Sequence, residues 1–142
     1  MNEAAPTKQL DVYVTGEGSA GELGLGPKNA TDVKRPRLNT NLKNVVSLAI
    51  GGMHAVALTA DNKILTWGIN DHGTLARDTT WSGGLRAVTE EGSDSDSDDG
   101  DLNPLESTPA AIPIDSFPEG TEFVQVAAGD STSFVLTRTG LV

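Results

Sequence analysis

The chain has 142 residues, with 16 glycines, few aromatics, no cysteine and a formal charge of minus 10. No disulfide framework or thiolate metal site is open to it, its two separated histidines offer little for a metal cage, and no apolar run reaches the length of a membrane span. A composition this rich in glycine suits many short strands joined by tight turns. Residues 1–9 lack the basic and apolar regions of a secretory signal and read as a disordered start to a soluble intracellular protein.

Alternation of apolar and polar residues then predicts strands in order. Leu10-Asp-Val-Tyr-Val-Thr15 alternates ahead of a Gly16-Glu-Gly18 turn. The basic stretch Lys34-Arg-Pro-Arg37 reads as ordinary surface in a connection or edge strand, where proline is tolerated; a weak nuclear-import or nucleic-acid role is the other reading. Val45-Val-Ser-Leu-Ala-Ile50 is an apolar run closing on Gly51-Gly52, and Ala55-Val-Ala-Leu-Thr59 pairs with Lys63-Ile-Leu-Thr-Trp67 across an Asp61-Asn62 turn. Thr108-Pro-Ala-Ala-Ile-Pro113 matches the earlier proline stretch, and Phe123-Val-Gln-Val-Ala-Ala128 and Ser133-Phe-Val-Leu-Thr137 repeat the strands from 45 and 55. No helix is predicted.

These elements are copies of one unit. Gly16 to Gly68 and Gly21 to Gly73 are each 52 residues apart, whereas Ala49 to Ala127 and Thr59 to Thr137 are each 78 apart. The difference is an insert between Asp78 and Pro109, and the period survives its removal. A period near fifty built from short strands and glycine turns indicates an all-β fold, a β-propeller. The domain reading is thus a disordered 1–9 and a partial propeller over 10–142, with an acidic disordered insert at about 79–106.

Residues 90–101 of that insert carry seven acids and no base, so the rest of the chain carries only minus 3. A like-charged run with serine and glycine cannot bury enough apolar surface to offset the entropy of ordering it. It is a solvated loop or, on a sharper reading, a phosphoacceptor and partner-binding loop. Ser93, Ser95 and Ser97 are each flanked by acids within two residues on both sides, as acid-directed kinases prefer, and phosphate would add further charge.

Glu22-Leu-Gly-Leu-Gly26, Ala49-Ile-Gly-Gly-Met-His54, Thr66-Trp-Gly-Ile-Asn-Asp71 and Arg77-Asp78 resemble the repeats of the regulator of chromosome condensation family. Three phased repeat copies that carry Gly-Gly-Met-His, Trp-Gly and Glu-Ser-Thr-Pro in order make the resemblance specific. With the acidic insert after Arg77-Asp78, the chain is most similar to fungal members of the founding branch, the Ran guanine-nucleotide exchange factors. The resemblance implies a propeller with seven blades, which needs roughly 350 to 420 residues at the usual repeat length. Fewer than three units are present, so an N-terminal fragment is expected, marginally stable or aggregation-prone alone because one blade face and some strand edges lack cover. In the related ring the opening strand completes a blade with strands from the far C-terminus.

The resemblance also implies site residues. Asp130 in Ala128-Gly-Asp-Ser131 matches an acidic residue facing the GTPase nucleotide site, and the alternative is a turn aspartate bonding its own backbone. His54 matches a top-face histidine implicated in the same interaction, or it orders a blade turn. Asp71 contributes to that surface or serves its own turn, and Trp67 reads as blade core. Three positions depart from the family pattern. Ser19 replaces an acid in the first glycine turn, Thr132 stands where histidine commonly follows Asp-Ser, and Ala76 replaces a glycine in a turn that wants positive φ.

The implied function is guanine-nucleotide exchange on the Ran GTPase, for nucleocytoplasmic transport and chromosome organisation, in the nucleus with the cytoplasm as a second location. Implied partners are a Ran-type GTPase and histones or chromatin, although the family's strongly basic tail is missing, since residues 1–9 hold only Lys8 as a base. No cofactor, metal, membrane or small-molecule substrate is called for. The alternative is a propeller interaction module without exchange activity, such as a chromatin adaptor or the regulatory domain of a ubiquitin ligase; fold alone does not separate the two. An enzyme with its own covalent chemistry is disfavoured, because no nucleophile and base stand in a recognisable arrangement.

Overall fold

The computed structural model describes residues 6–70, 72–80, 102–140 and 142. Among the described residues, eight strands form three antiparallel sheets: β1 (Tyr13–Gly16) with β2 (Val33–Leu38), then β3 (Val45–Ile50), β4 (His54–Thr59), β5 (Ile64–Gly68) and β6 (Ala110–Ala111) in that order, then β7 (Phe123–Ala128) with β8 (Ser133–Thr137). The middle sheet is a whole four-stranded blade, flanked by half-blades on either side. Both proline stretches become edge strands, β2 and β6, where the missing N–H interrupts no ladder.

The repeat extends to its irregularities. Between β3 and β4 the register slips between Val45 and Ser47; between β7 and β8 it slips between Phe123 and Gln125, each 78 residues on. Gly51 N–H donates to the His54 carbonyl at 2.8 Å, and Gly129 N–H donates to the Thr132 carbonyl at 2.7 Å, again at that spacing. The same local sequence reproduces both the bulge and the turn.

Period-two alternation builds the core. Every residue of β4 is buried, but Val56 and Leu58 face one side, with Val46, Ile64, Ile112, Phe123 and Val126, while Ala55 and Ala57 face the other, with Val12, Leu42, Val45 and Trp67. One strand therefore supplies both inter-blade cores. Small alanines on the second face leave room for the Trp67 ring, which is 1% exposed and donates from Nε1 to the Glu22 carbonyl at 3.1 Å. On the first side, a groove of about 640 Å³ stays open between β5–β6 and β7–β8, lined by Ile64, Ile112, Phe117, Phe123 and Val135.

Two features depart from the sequence reading. The expected strand from residue 10 begins only at Tyr13, because Leu10 bridges to Val45 of the neighbouring blade (N–H to carbonyl, 2.7 Å) before the chain turns to pair with β2. And where no helix is predicted, Pro104–Ser107 forms a single turn, α1. The Asn103 side chain caps it by accepting from Leu105 N–H, and Pro104 supplies a first-turn residue with no N–H to satisfy.

Candidate functional site at a blade junction

The β3–β4 and β7–β8 turns lie side by side at the same end of adjacent blades. A Cβ built on Gly51 would overlap the Gly129 carbonyl oxygen, and one built on Gly52 would overlap Oδ1 of Asp130. At Gly51 backbone is thus packed on backbone, which only a residue without a Cβ permits, whereas the nearest neighbour of Gly52 is the end of a side chain. Asp130 itself is exposed, and among the described residues its carboxylate accepts no hydrogen bond.

His54 is held differently. It is 3% exposed, its ring lies against Gly51 (Nδ1 2.7 Å from the position of a Cβ there), and among the described residues its Nε2 has no hydrogen-bond partner. Across the ladder it pairs with Gly68, whose φ of +110° and close approach to Met53 and His54 exclude a side chain. The equivalent position in the next turn, Thr132, is exposed. Burial places His54 behind the turn, supporting the exposed Gly52 and Met53 from within.

Asp71 lies outside the described residues, as do Ser93, Ser95 and Ser97. The loop on either side of Asp71 is tied to the same junction. Ile69 N–H donates to the Met53 carbonyl at 2.9 Å, and the Ser133 hydroxyl donates to the Thr74 carbonyl at 2.7 Å. Asn70 accepts from Leu75 N–H and donates to the Arg77 carbonyl and to Thr79 Oγ1.

Sequence reasoning missed the flanks of the insert. Asn103 Nδ2 donates to the Thr79 carbonyl at 2.7 Å and Thr79 Oγ1 donates to Glu106 at 3.1 Å, so residues 79 and 103–107 carry defined structure. Arg77 is half-buried between them and bonds Thr66 through both Nε and Nη2. Burial pushes its guanidinium below its ordinary range, against the pull of Glu106. The Asn-Pro pair at 103–104 was the available signal.

Among the described residues no group of three or more His, Asp or Glu is placed to hold a metal ion. No described helix is long and apolar enough to cross a membrane. What the junction offers is an exposed carboxylate beside closely packed turn backbone.

Comparison with known proteins decides the family. Two models described as the regulator of chromosome condensation repeat match residues 11–58 and 45–74. The guanine nucleotide exchange factor SRM1 of Saccharomyces cerevisiae is 47% identical over 142 residues, which cover 94% of this chain. The chain belongs to the regulator of chromosome condensation family. It spans 29% of the length of SRM1. A structure of Kap60 bound to yeast RCC1 (Prp20) superposes with a TM-score of 0.77 at 42% identity, covering 97% of this chain and 28% of that one. A structure of Prp20p from Saccharomyces cerevisiae, described with its binding to Gsp1p and histones, gives 0.73 at 40%, covering 96% and 28%. The propeller assignment and the family resemblance of the repeats both hold, and the half-blade, blade, half-blade order is a run of regulator of chromosome condensation repeats.

Proposed function

We propose that this chain is part of a guanine-nucleotide exchange factor for a Ran-type GTPase and carries part of the GTPase-binding face. The observation behind this reading is the exposed Asp130 carboxylate on the blade junction, in a chain 47% identical to a guanine nucleotide exchange factor over nearly its whole length. Such a factor makes and breaks no covalent bond. It binds the nucleotide-free GTPase more tightly than the loaded form, and linkage then requires that it weaken nucleotide binding by the same factor. A carboxylate aimed at the nucleotide site does this by pairing with the cationic lysine left behind when phosphates depart. His54 serves from behind the turn, and Asp71 extends the surface.

Prp20p is described as binding histones, so chromatin is a second proposed partner and the nucleus the proposed place of work. The exposed Lys34, Arg35 and Arg37 on β2 are the basic surface available for it.

The test follows release of a fluorescent GDP analogue from a Ran-type GTPase, using this chain and the full-length product of its gene. The full-length protein should accelerate release, and Asp130→Ala should slow it by about tenfold or more, the loss of one charge-assisted bond. A folded full-length protein that leaves release unchanged would instead assign the propeller to protein interaction without exchange.

A further inference from the structure

Gly52 and Asp130 occupy the same position in successive repeats, 78 residues apart, and they touch. A Cβ on Gly52 would overlap Asp130 Oδ1 and lie 3.1 Å from its Cγ and 3.2 Å from its carbonyl oxygen. Gly52 does not have the positive φ that favours glycine, so its backbone would accept any residue. Gly129, one position earlier in the second turn, meets nothing closer than 3.8 Å. The three atoms nearest to a Cβ at residue 52 thus all belong to Asp130, and the nearest is the end of its side chain.

We propose that Gly52 is a positioning residue for the Asp130 carboxylate: the missing side chain of one blade's turn is the seat of the next blade's acid. This rests on the reading of Asp130 as a GTPase contact. It explains a pattern that neither turn shows alone, namely that the acid in the second turn follows a glycine at the same place in the first. A methyl group at 52 leaves both turns intact, because a carboxylate end can swing aside, but it denies the carboxylate its seat.

The experiment uses the full-length protein with the Gly52→Ala, Asp130→Ala and double variants, read by GDP-analogue release, thermal melting and a crystal structure of Gly52→Ala. Expected are a melting temperature of Gly52→Ala near that of the parent, a displaced Asp130 carboxylate, and exchange lowered about tenfold to the level of Asp130→Ala. The double variant should be no slower than either single one, as for two residues acting through one group. Full exchange activity in Gly52→Ala, an unmoved carboxylate, or losses that multiply in the double variant would each overturn the proposal. Undiminished exchange in Asp130→Ala would instead remove Asp130 from the exchange site, and the Gly52→Ala structure would still decide whether Gly52 sets the carboxylate.

Discussion

Asn62 and Phe123, on neighbouring blades, are joined by a 2.8 Å hydrogen bond from the Phe123 N–H to Oδ1 of Asn62, whose Nδ2 donates in turn to the Thr121 carbonyl at 2.8 Å. One turn side chain therefore satisfies both backbone groups at the start of β7. Asn62→Gly keeps the turn's positive φ of 63° but orphans the pair, and should cost about 2 kcal/mol in urea unfolding. Asn62→Ala adds a left-handed alanine and should cost about 1 kcal/mol more. Equal stability of all three proteins would show that the clasp contributes nothing.

Gly24 abuts the Trp67 indole, whose Cδ1 and Nε1 lie 2.8 Å from where a Cβ would stand, and its φ is +69°. Gly24→Ala combines overpacking with backbone strain, for a loss of about 2 to 4 kcal/mol. The Trp67 fluorescence should shift to longer wavelength as the ring is displaced toward water. A variant with parental melting and emission would refute this.

Ala76, 52 residues after Gly24, keeps the positive φ of its counterpart at 53° without the glycine that suits it. Its side chain is exposed, so no packing is lost on removing the methyl group. Ala76→Gly should stabilise by about 0.5 to 1 kcal/mol, relief of the left-handed strain less the added freedom of the unfolded chain. Here the expected rise in melting temperature is the unusual outcome for glycine, and a fall would show that the turn prefers alanine.

Thr79 and Asn103 close a neck at the base of the acidic insert. Replacing residues 81–101 by a short Gly-Ser linker should leave stability within about 1 kcal/mol, since loop length enters only logarithmically. Asn103→Ala, which removes both the α1 cap and the bond to Thr79, should cost about 1 to 2 kcal/mol. If the linker variant unfolds while Asn103→Ala is silent, the insert and not its neck supports the blade.

The strands from 45 to 67 and from 123 to 137 were legible because a repeat uses the same short-range chemistry each time: alternation in β4, a glycine turn, then Leu-Thr before a second turn. The strain at Ala76 was legible from the glycine that the family pattern places there. The late start of β1 was not, because residues 10 to 12 alternate equally well whether they pair with β2 or cross to β3. Nor was α1, since one capped turn is too short for a hydrophobic period to show.

At the site, the family resemblance singled out Asp130 and His54, and only the fold distinguished them, leaving one carboxylate exposed and one imidazole buried. The sequence by itself determined the repeat, the strand order within each unit and the acidic character of the insert, because these depend on neighbours within a few residues along the chain. Tertiary structure alone decided that Gly52 makes room for Asp130 and that Asn62 anchors Phe123, because such contacts join residues some 60 to 80 positions apart whose local patterns are indifferent to one another.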